Sequence, residues 1–189
     1  MARRKLNKED IFIATDGLLH ELGYEGFHFK ALADQLGVGR STIYEYYRSK
    51  EDLITAYMLH IMEAFIEDRD KLDQTARPLE QLRGLLHLFM KHDRILLAIE
   101  LTPHVQKSSS DHVQQILNHL WKHHHIVFAQ IKELVVAGIK CGEIRSDLPV
   151  KLIEAALFQA ISLNKARNQE TTEEWANAVF DMLFSGIRT

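Results

Sequence analysis

The residues best suited to chemistry lie close together near the start of the chain. Arg40, Ser41, Thr42, Tyr44 and Tyr46 surround a lone aliphatic residue, Ile43, within seven positions. On a short helix that buries Ile43, the other five side chains face outward. A guanidinium can fork onto the acceptor edge of guanine, short hydroxyls approach phosphate oxygens closely, and phenols combine apolar contact with a hydrogen bond. This surface suits the major groove of a duplex. Immediately downstream, Ser49-Lys50-Glu51-Asp52 has the pattern of a helix start with a Ser cap and an acid three residues on. Free backbone N–H groups beside the Lys50 ammonium would make a phosphate site; the plainer alternative is that Ser49 only caps its own helix.

A second chemical cluster is imidazole. Eight of the eleven histidines fall between His87 and His125, including His119 and His123 at i, i+4 and the run His123-His124-His125. An i, i+4 pair can present two nitrogens to a metal from one helix face, but zinc would require a third ligand such as His87, His92 or Glu100. Three consecutive histidines point in three directions on a helix and cannot chelate as a run. The expectation is therefore solvent-facing or polar-core histidines, no metal and no cofactor, with a metal-dependent helical enzyme as the alternative function. Against that alternative, no nucleophile-and-base arrangement, Gly-rich phosphate loop or HExxH pattern is present. Cys141 is the single cysteine, so no internal disulfide can form, and it reads as a small packing residue.

The elements that must position these groups follow a helical period throughout, and no stretch sustains strand alternation. Ile11, Ala14, Leu18 and Leu22 define one face, and Leu53, Tyr57, Ile61 and Phe65 another. A third and longer face runs from Val113 through Leu117, Leu120, Phe128 and Ile131 to Val135. The pattern predicts an all-α protein with about nine helices, near 7–22, 29–36, 40–46, 50–72, 79–92, 94–105, 110–140, 148–167 and 172–187. Pro78, Pro103 and Pro149 fall at or near expected helix ends, and Gly23, Gly26, Gly37 and Gly39 mark tight turns between short helices. In Leu32-Ala33, Leu36-Gly37-Val38-Gly39 and the segment that follows, an eight-residue helix, a left-handed glycine turn and a second short helix have helix-turn-helix spacing. The expected 110–140 helix would rise about 45 Å and form the spine of a larger second domain.

Leu36-Gly37-Val38-Gly39-Arg40-Ser41-Thr42-Ile43-Tyr44-Glu45-Tyr46-Tyr47-Arg48-Ser49-Lys50-Glu51-Asp52-Leu53, preceded by Gly23-Tyr24-Glu25-Gly26-Phe27 and Leu32-Ala33, resembles the TetR family of bacterial transcriptional regulators. The resemblance covers about the first 55 residues. It implies a three-helix DNA-binding domain over 1–50 and a helical effector-binding and dimerisation domain over 51–189. DNA-facing roles fall on Lys30, Arg40, Ser41, Thr42, Tyr44, Tyr46 and Lys50, with Val38 and Ile43 as core. Two positions depart from the family pattern. His28-Phe29 stand where a capping threonine is usual, leaving His28 to cap or to touch phosphate. Glu45 occupies a position where an aromatic residue or histidine is frequent, and is read as facing solvent.

The same resemblance implies a homodimer on a palindromic operator, since a seven-residue reader reaches only a few base pairs. The interface would be formed by the last two helices, through Leu152, Ala156, Gln159 and Leu163 on one and Trp175, Val179, Met182 and Ile187 on the other. It further implies a pocket for an unknown small-molecule effector, with Met58, Met62, Phe65, Phe89, Trp121 and Phe128 as candidate lining. A repressor would leave its operator when the effector favours a dimer whose two reading helices no longer match successive major grooves.

Composition is compatible with this reading without requiring it. The 189 residues carry 23 Lys+Arg and 26 Asp+Glu, net −3, with 46% hydrophobic residues, which excludes a disordered chain. Residues 1–50 hold eight basic and seven acidic side chains, so the N-terminal end is the better candidate for a polyanion. Within it, Arg3, Arg4, Lys5 and Lys8 are candidates to reach neighbouring phosphates. No apolar run approaches the ~18 residues of a membrane helix, and no apolar segment follows the basic residues at the start. The expectation is a cytoplasmic protein with no membrane partner.

Overall fold

A computed structural model of the chain describes residues 6–185, and every side chain among them except that of Lys165. Arg3, Arg4, Lys5 and Ile187 therefore lie outside the described residues. Within that range the regular structure is helical, as expected, with no strand: α1 (Lys8–Gly26), α2 (Phe29–Leu36), α3 (Arg40–Tyr46), α4 (Lys50–Asp70), α5 (Pro78–Lys91), α6 (Arg94–Val105), α7 (Asp111–Lys140), α8 (Val150–Ser162) and α9 (Thr172–Phe184). Two compact units divide these helices. One comprises the described residues up to His60 together with Glu100–Asn118; the other comprises Ile61–Ile99 and the described residues from His119 onward. As a result α4, α6 and α7 each contribute residues to both units.

Local chemistry accounts for the boundaries in the first unit. The Asn7 side chain accepts the Asp10 N–H at 2.7 Å and starts α1. The helix is expected to stop at 22, and Gly23 does break it with φ of 65°, after which a further turn continues to Gly26. His28 starts α2, its Nδ1 accepting the Ala31 N–H at 3.0 Å. Gly37 ends that helix in the left-handed region, φ 65° and ψ 33°. There the Val38 N–H bonds the Ala33 carbonyl at 3.0 Å and the Gly37 N–H bonds the Asp34 carbonyl at 3.2 Å. These are the two bonds of a Schellman turn, which a residue with a Cβ enters only with strain. α2 packs on both α1 and α3, over a core that includes Ile11, Leu18, Leu32, Ile43, Leu53 and Ile54.

In the second unit α5 packs against α8 and α9, and α8 against α9. Pro78 occupies the first turn of α5. Glu143 closes that turn, accepting the Leu79 N–H at 3.1 Å and pairing with Arg77 at 2.7 Å. The helix expected over 148–167 is shorter than its apolar pattern. Pro149 holds an extended conformation just before α8, and a 3-10 turn over Leu163–Ala166 follows Ser162. The buried Asn164 side chain draws that turn to α5 by donating to the Met90 carbonyl at 3.0 Å. A capping box between Thr171 and Glu174 starts α9.

Candidate nucleic-acid interface

α3 has one fully buried side chain, Ile43, whose solvent exposure is 0%. Burying that residue turns the remainder of the helix outward. Arg40, Ser41, Tyr44 and Glu45 are exposed and Thr42 is half-buried, while Lys30 is exposed on α2. The outward groups are ordered before any partner arrives. The Arg40 Nη2 donates to the Tyr44 hydroxyl at 2.9 Å, with the guanidinium carbon 5.4 Å from the Tyr44 ring centre. The Tyr44 ring rests edge-on against the buried Phe29, centroids 5.0 Å apart. A guanidinium and a phenol held as an i, i+4 pair lose less conformational freedom when they meet a base edge.

Two side chains expected to face DNA are engaged within the unit. The Tyr46 hydroxyl donates to the Leu6 carbonyl at 2.5 Å, tying the end of α3 to the residue before α1. The Lys50 ammonium donates to the Tyr24 carbonyl and lies 3.9 Å from the Tyr24 ring centre. Burial lowers the Lys50 pKa, opposed by the nearby Glu25 and Glu51 carboxylates. Tyr24 is the organising residue that sequence reasoning did not single out. It stacks on His104 at 4.3 Å and its hydroxyl faces Glu51 at 3.5 Å. Burial, with Glu51 next in weight, pushes its phenol up to about 12. Its position in the Gly23-Tyr24-Glu25-Gly26 turn was the available signal.

The cap at the start of α4 is present, with the Asp52 N–H donating to the Ser49 hydroxyl at 3.1 Å. The reciprocal bond runs one residue earlier, as the Arg48 N–H donates to Asp52 at 3.0 Å. His28 supplies the cap on α2 in place of the absent hydroxyl. Its Nδ1 therefore carries a lone pair. Tyr47 is buried, as a packing residue should be, and burial pushes its phenol up to about 12, with Asp52 contributing.

The candidate effector residues are split. Met58, Phe65 and Phe89 are buried and Met62 is half-buried. Phe65 and Phe89 meet at 4.7 Å. Phe89 lines an apolar seam with Leu82, Leu86, Ile131, Leu157 and Phe158, whose free volume is about 10 Å³. Trp121 and Phe128 are instead exposed, at 46% and 38%. Phe128 stacks on Phe158 at 3.8 Å and meets His124 at 4.0 Å with the rings tilted by 36°. Of the candidate dimer residues, Leu152, Gln159 and Met182 are exposed and Ala156, Leu163 and Trp175 half-buried, whereas Val179 is buried within the protomer.

The histidine-rich segment does not gather a third ligand. Among the described residues no group of three or more His, Cys, Asp or Glu side chains could hold a metal ion. His87 is bonded to Asn177 at 3.1 Å and His92 to Asp68 at 3.0 Å. Likewise, no described helix is long and apolar enough to cross a membrane.

Comparison with known proteins agrees with this geometry. Residues 11–57, which span α1 to α3 and the start of α4, match the family model for bacterial regulatory proteins of the tetR family. The fatty acid metabolism regulator protein of Bacillus subtilis (strain 168) is 26% identical over 205 residues, covering 99% of this chain and 98% of that protein. Among solved structures, FadR from Bacillus subtilis in complex with stearoyl-CoA aligns with a TM-score of 0.65 at 24% identity, over 96% of this chain and 100% of that one. AibR in complex with isovaleryl coenzyme A and operator DNA aligns with a TM-score of 0.73 at 18% identity, over 94% and 97%. With the helix-turn-helix built as described and the match centred on it, residues 11–57 are similar to bacterial regulatory proteins of the tetR family.

Proposed function

We propose that the chain acts as a homodimeric repressor on a palindromic operator and that an acyl-coenzyme A thioester releases it. In this reading residues 1–50 bind the duplex and residues 51–189 bind the effector and the second subunit. The observation that carries the DNA assignment is α3 itself. One fully buried isoleucine leaves Arg40, Ser41 and Tyr44 facing outward, with the arginine and tyrosine already paired. Lys30 and Thr42 would add backbone contacts. Tyr46 and Lys50 would act mainly by fixing the ends of α3 and α4, since both are bonded within the unit.

The effector class is supported by the 26% identity to a fatty acid metabolism regulator across 99% of the chain. It is supported chemically by the seam between Leu82, Leu86, Phe89, Ile131, Leu157 and Phe158, whose lining is wholly apolar and suits a hydrocarbon chain. With about 10 Å³ free, the seam is far smaller than the ~300–1,000 Å³ of typical ligand sites. An acyl chain must therefore open it, and a ligand that binds only the opened form shifts the equilibrium toward that form. α4, α6 and α7 run without interruption from one compact unit into the other and supply the covalent route by which opening reaches the reader. Linkage then requires DNA to weaken effector binding by the same factor.

The test is a titration of palmitoyl-CoA and isovaleryl-CoA into the complex with a duplex selected from a random pool, followed by fluorescence anisotropy. Release by an acyl-CoA, with none by coenzyme A alone, is the expected result. Retention of the duplex at saturating concentrations of both thioesters would exclude this effector class. No observation favours the metal-dependent enzyme alternative.

A further inference from the structure

The histidines of α7 contain one arrangement that neither DNA reading nor effector binding uses. His119 and His123 are one helical turn apart, and their Nε2 atoms face each other at 2.9 Å. The ring planes are inclined at 77° with centroids 4.6 Å apart, so the two nitrogens meet tip to tip rather than stacking. His119 is exposed and His123 half-buried, which keeps the pair open to solvent. We propose that His119 and His123 form an open two-histidine site for a divalent transition ion that prefers tetragonal geometry, with Cu(II) the best fit.

The separation selects the geometry. Two nitrogens each ~2.0–2.1 Å from one ion lie ~2.8–3.0 Å apart when they subtend a right angle and ~3.3–3.4 Å apart in a tetrahedron. The observed 2.9 Å matches the right-angled edge of a square-planar or tetragonal site, as Cu(II) and Ni(II) adopt, and is short for zinc. At a given set of nitrogen ligands Cu(II) also binds most tightly of the first-row dications. Without the ion, one imidazole donates its Nε2–H to the lone pair of the other. On binding, that proton moves to Nδ1 of the same ring, so two neutral imidazoles present two Nε2 lone pairs with no net proton release. The absence of a third ligand among the described residues leaves the other positions to water.

The surroundings favour a neutral ring at His123. Burial, His119 and Arg69 all lower the His123 pKa, while Glu63 and Asp70 oppose them. The same two carboxylates on α4 offset Arg69 in the field that an arriving dication meets.

The test uses the full chain. Cu(II), buffered with glycine as a weak competitor, is titrated calorimetrically into wild type and into H119A, H123A and the exposed neighbour variant H125A. One site per chain tighter than the background of the remaining histidines is expected, weakened at least ~10-fold in H119A and in H123A and unchanged within twofold in H125A. Wild-type protein gives a readout that does not depend on any variant folding: substoichiometric Cu(II) should broaden the ring-proton resonances of His119 and His123 first, and the electron paramagnetic spectrum should show nitrogen hyperfine coupling. Equal affinity in wild type and the double variant H119A/H123A, or earlier broadening of other histidines, would overturn the proposal.

Discussion

Replacing Ile43 with alanine examines what holds α3 in place. The side chain is fully buried and is the single buried residue of a seven-residue helix. Ile→Ala removes three methylene equivalents, worth about 2.4 kcal/mol in transfer at ~0.8 kcal/mol each, and the cavity left behind adds to this. A total near 3–4 kcal/mol is expected. A helix this short cannot persist in water without tertiary packing, so the loss concentrates on α3 and on what it displays. The aromatic residues provide a clean assay. All five tyrosines lie at or before Tyr57, in the first compact unit, and both tryptophans, Trp121 and Trp175, lie in the second. In urea melts the tyrosine-reported transition should move to lower denaturant by an amount matching ~3–4 kcal/mol. The tryptophan transition should move far less, and duplex binding should be lost. Ile43→Val, which removes one methylene, should cost only ~0.5–1.5 kcal/mol and retain binding. A tyrosine transition within 1 kcal/mol of wild type in Ile43→Ala would refute the claim that this one side chain anchors α3.

Two further outcomes follow from the charged groups. Lys50→Ala removes the bond to the Tyr24 carbonyl and the ammonium over the Tyr24 ring; it should lower the tyrosine-reported stability by about 1–2 kcal/mol, and a change confined to the tryptophan transition would contradict the assignment. His124 is half-buried, its Nδ1 has no hydrogen-bond partner, and burial, with His125 next, holds its pKa below the ordinary value. A histidine depressed in the folded state binds its proton more readily when unfolded, so its stabilisation is complete above pH ~6.5 and is lost as pH falls through the lower folded value. His123 is depressed in the same direction. The tryptophan-reported urea midpoint should therefore drop between pH 7.5 and 5.5, and His124→Leu should make the drop smaller; equal drops in the two proteins would contradict it.

α2 and α3 were legible because their signals are local. Gly37 needs a left-handed backbone, Ile43 is the lone aliphatic residue of its segment, and α2, α3 and α6 occupy the spans the sequence predicts. What was not legible depends on partners distant in sequence. Tyr46 reaches Leu6 and Lys50 reaches Tyr24, 40 and 26 positions away. Nothing in a seven-residue pattern distinguishes a phenol aimed at a groove from one bonded to its own chain. Along α7, Trp121 and Phe128 have the spacing of lining residues, yet both are exposed, and none of residues 121–126 is buried. Val179 illustrates the reverse problem. An apolar stripe on α9 fits both a protomer core and a subunit interface, and Val179 is buried within the protomer. The end of α8 was overextended because its apolar period continues through Leu163, while Asn164 leaves the helix to bond the Met90 carbonyl.

The measurement that bears most directly on the central claim is selection of bound duplexes from a random pool, run in parallel on wild type and Arg40→Ala. If α3 reads base edges through the paired Arg40 and Tyr44, wild type will enrich a palindrome. Arg40→Ala will relax one position in each half-site and weaken binding to the wild-type sequence by ~1–3 kcal/mol per half-site. Recovery of the same sequence with unchanged affinity by both proteins, or no enrichment by wild type, would contradict the account.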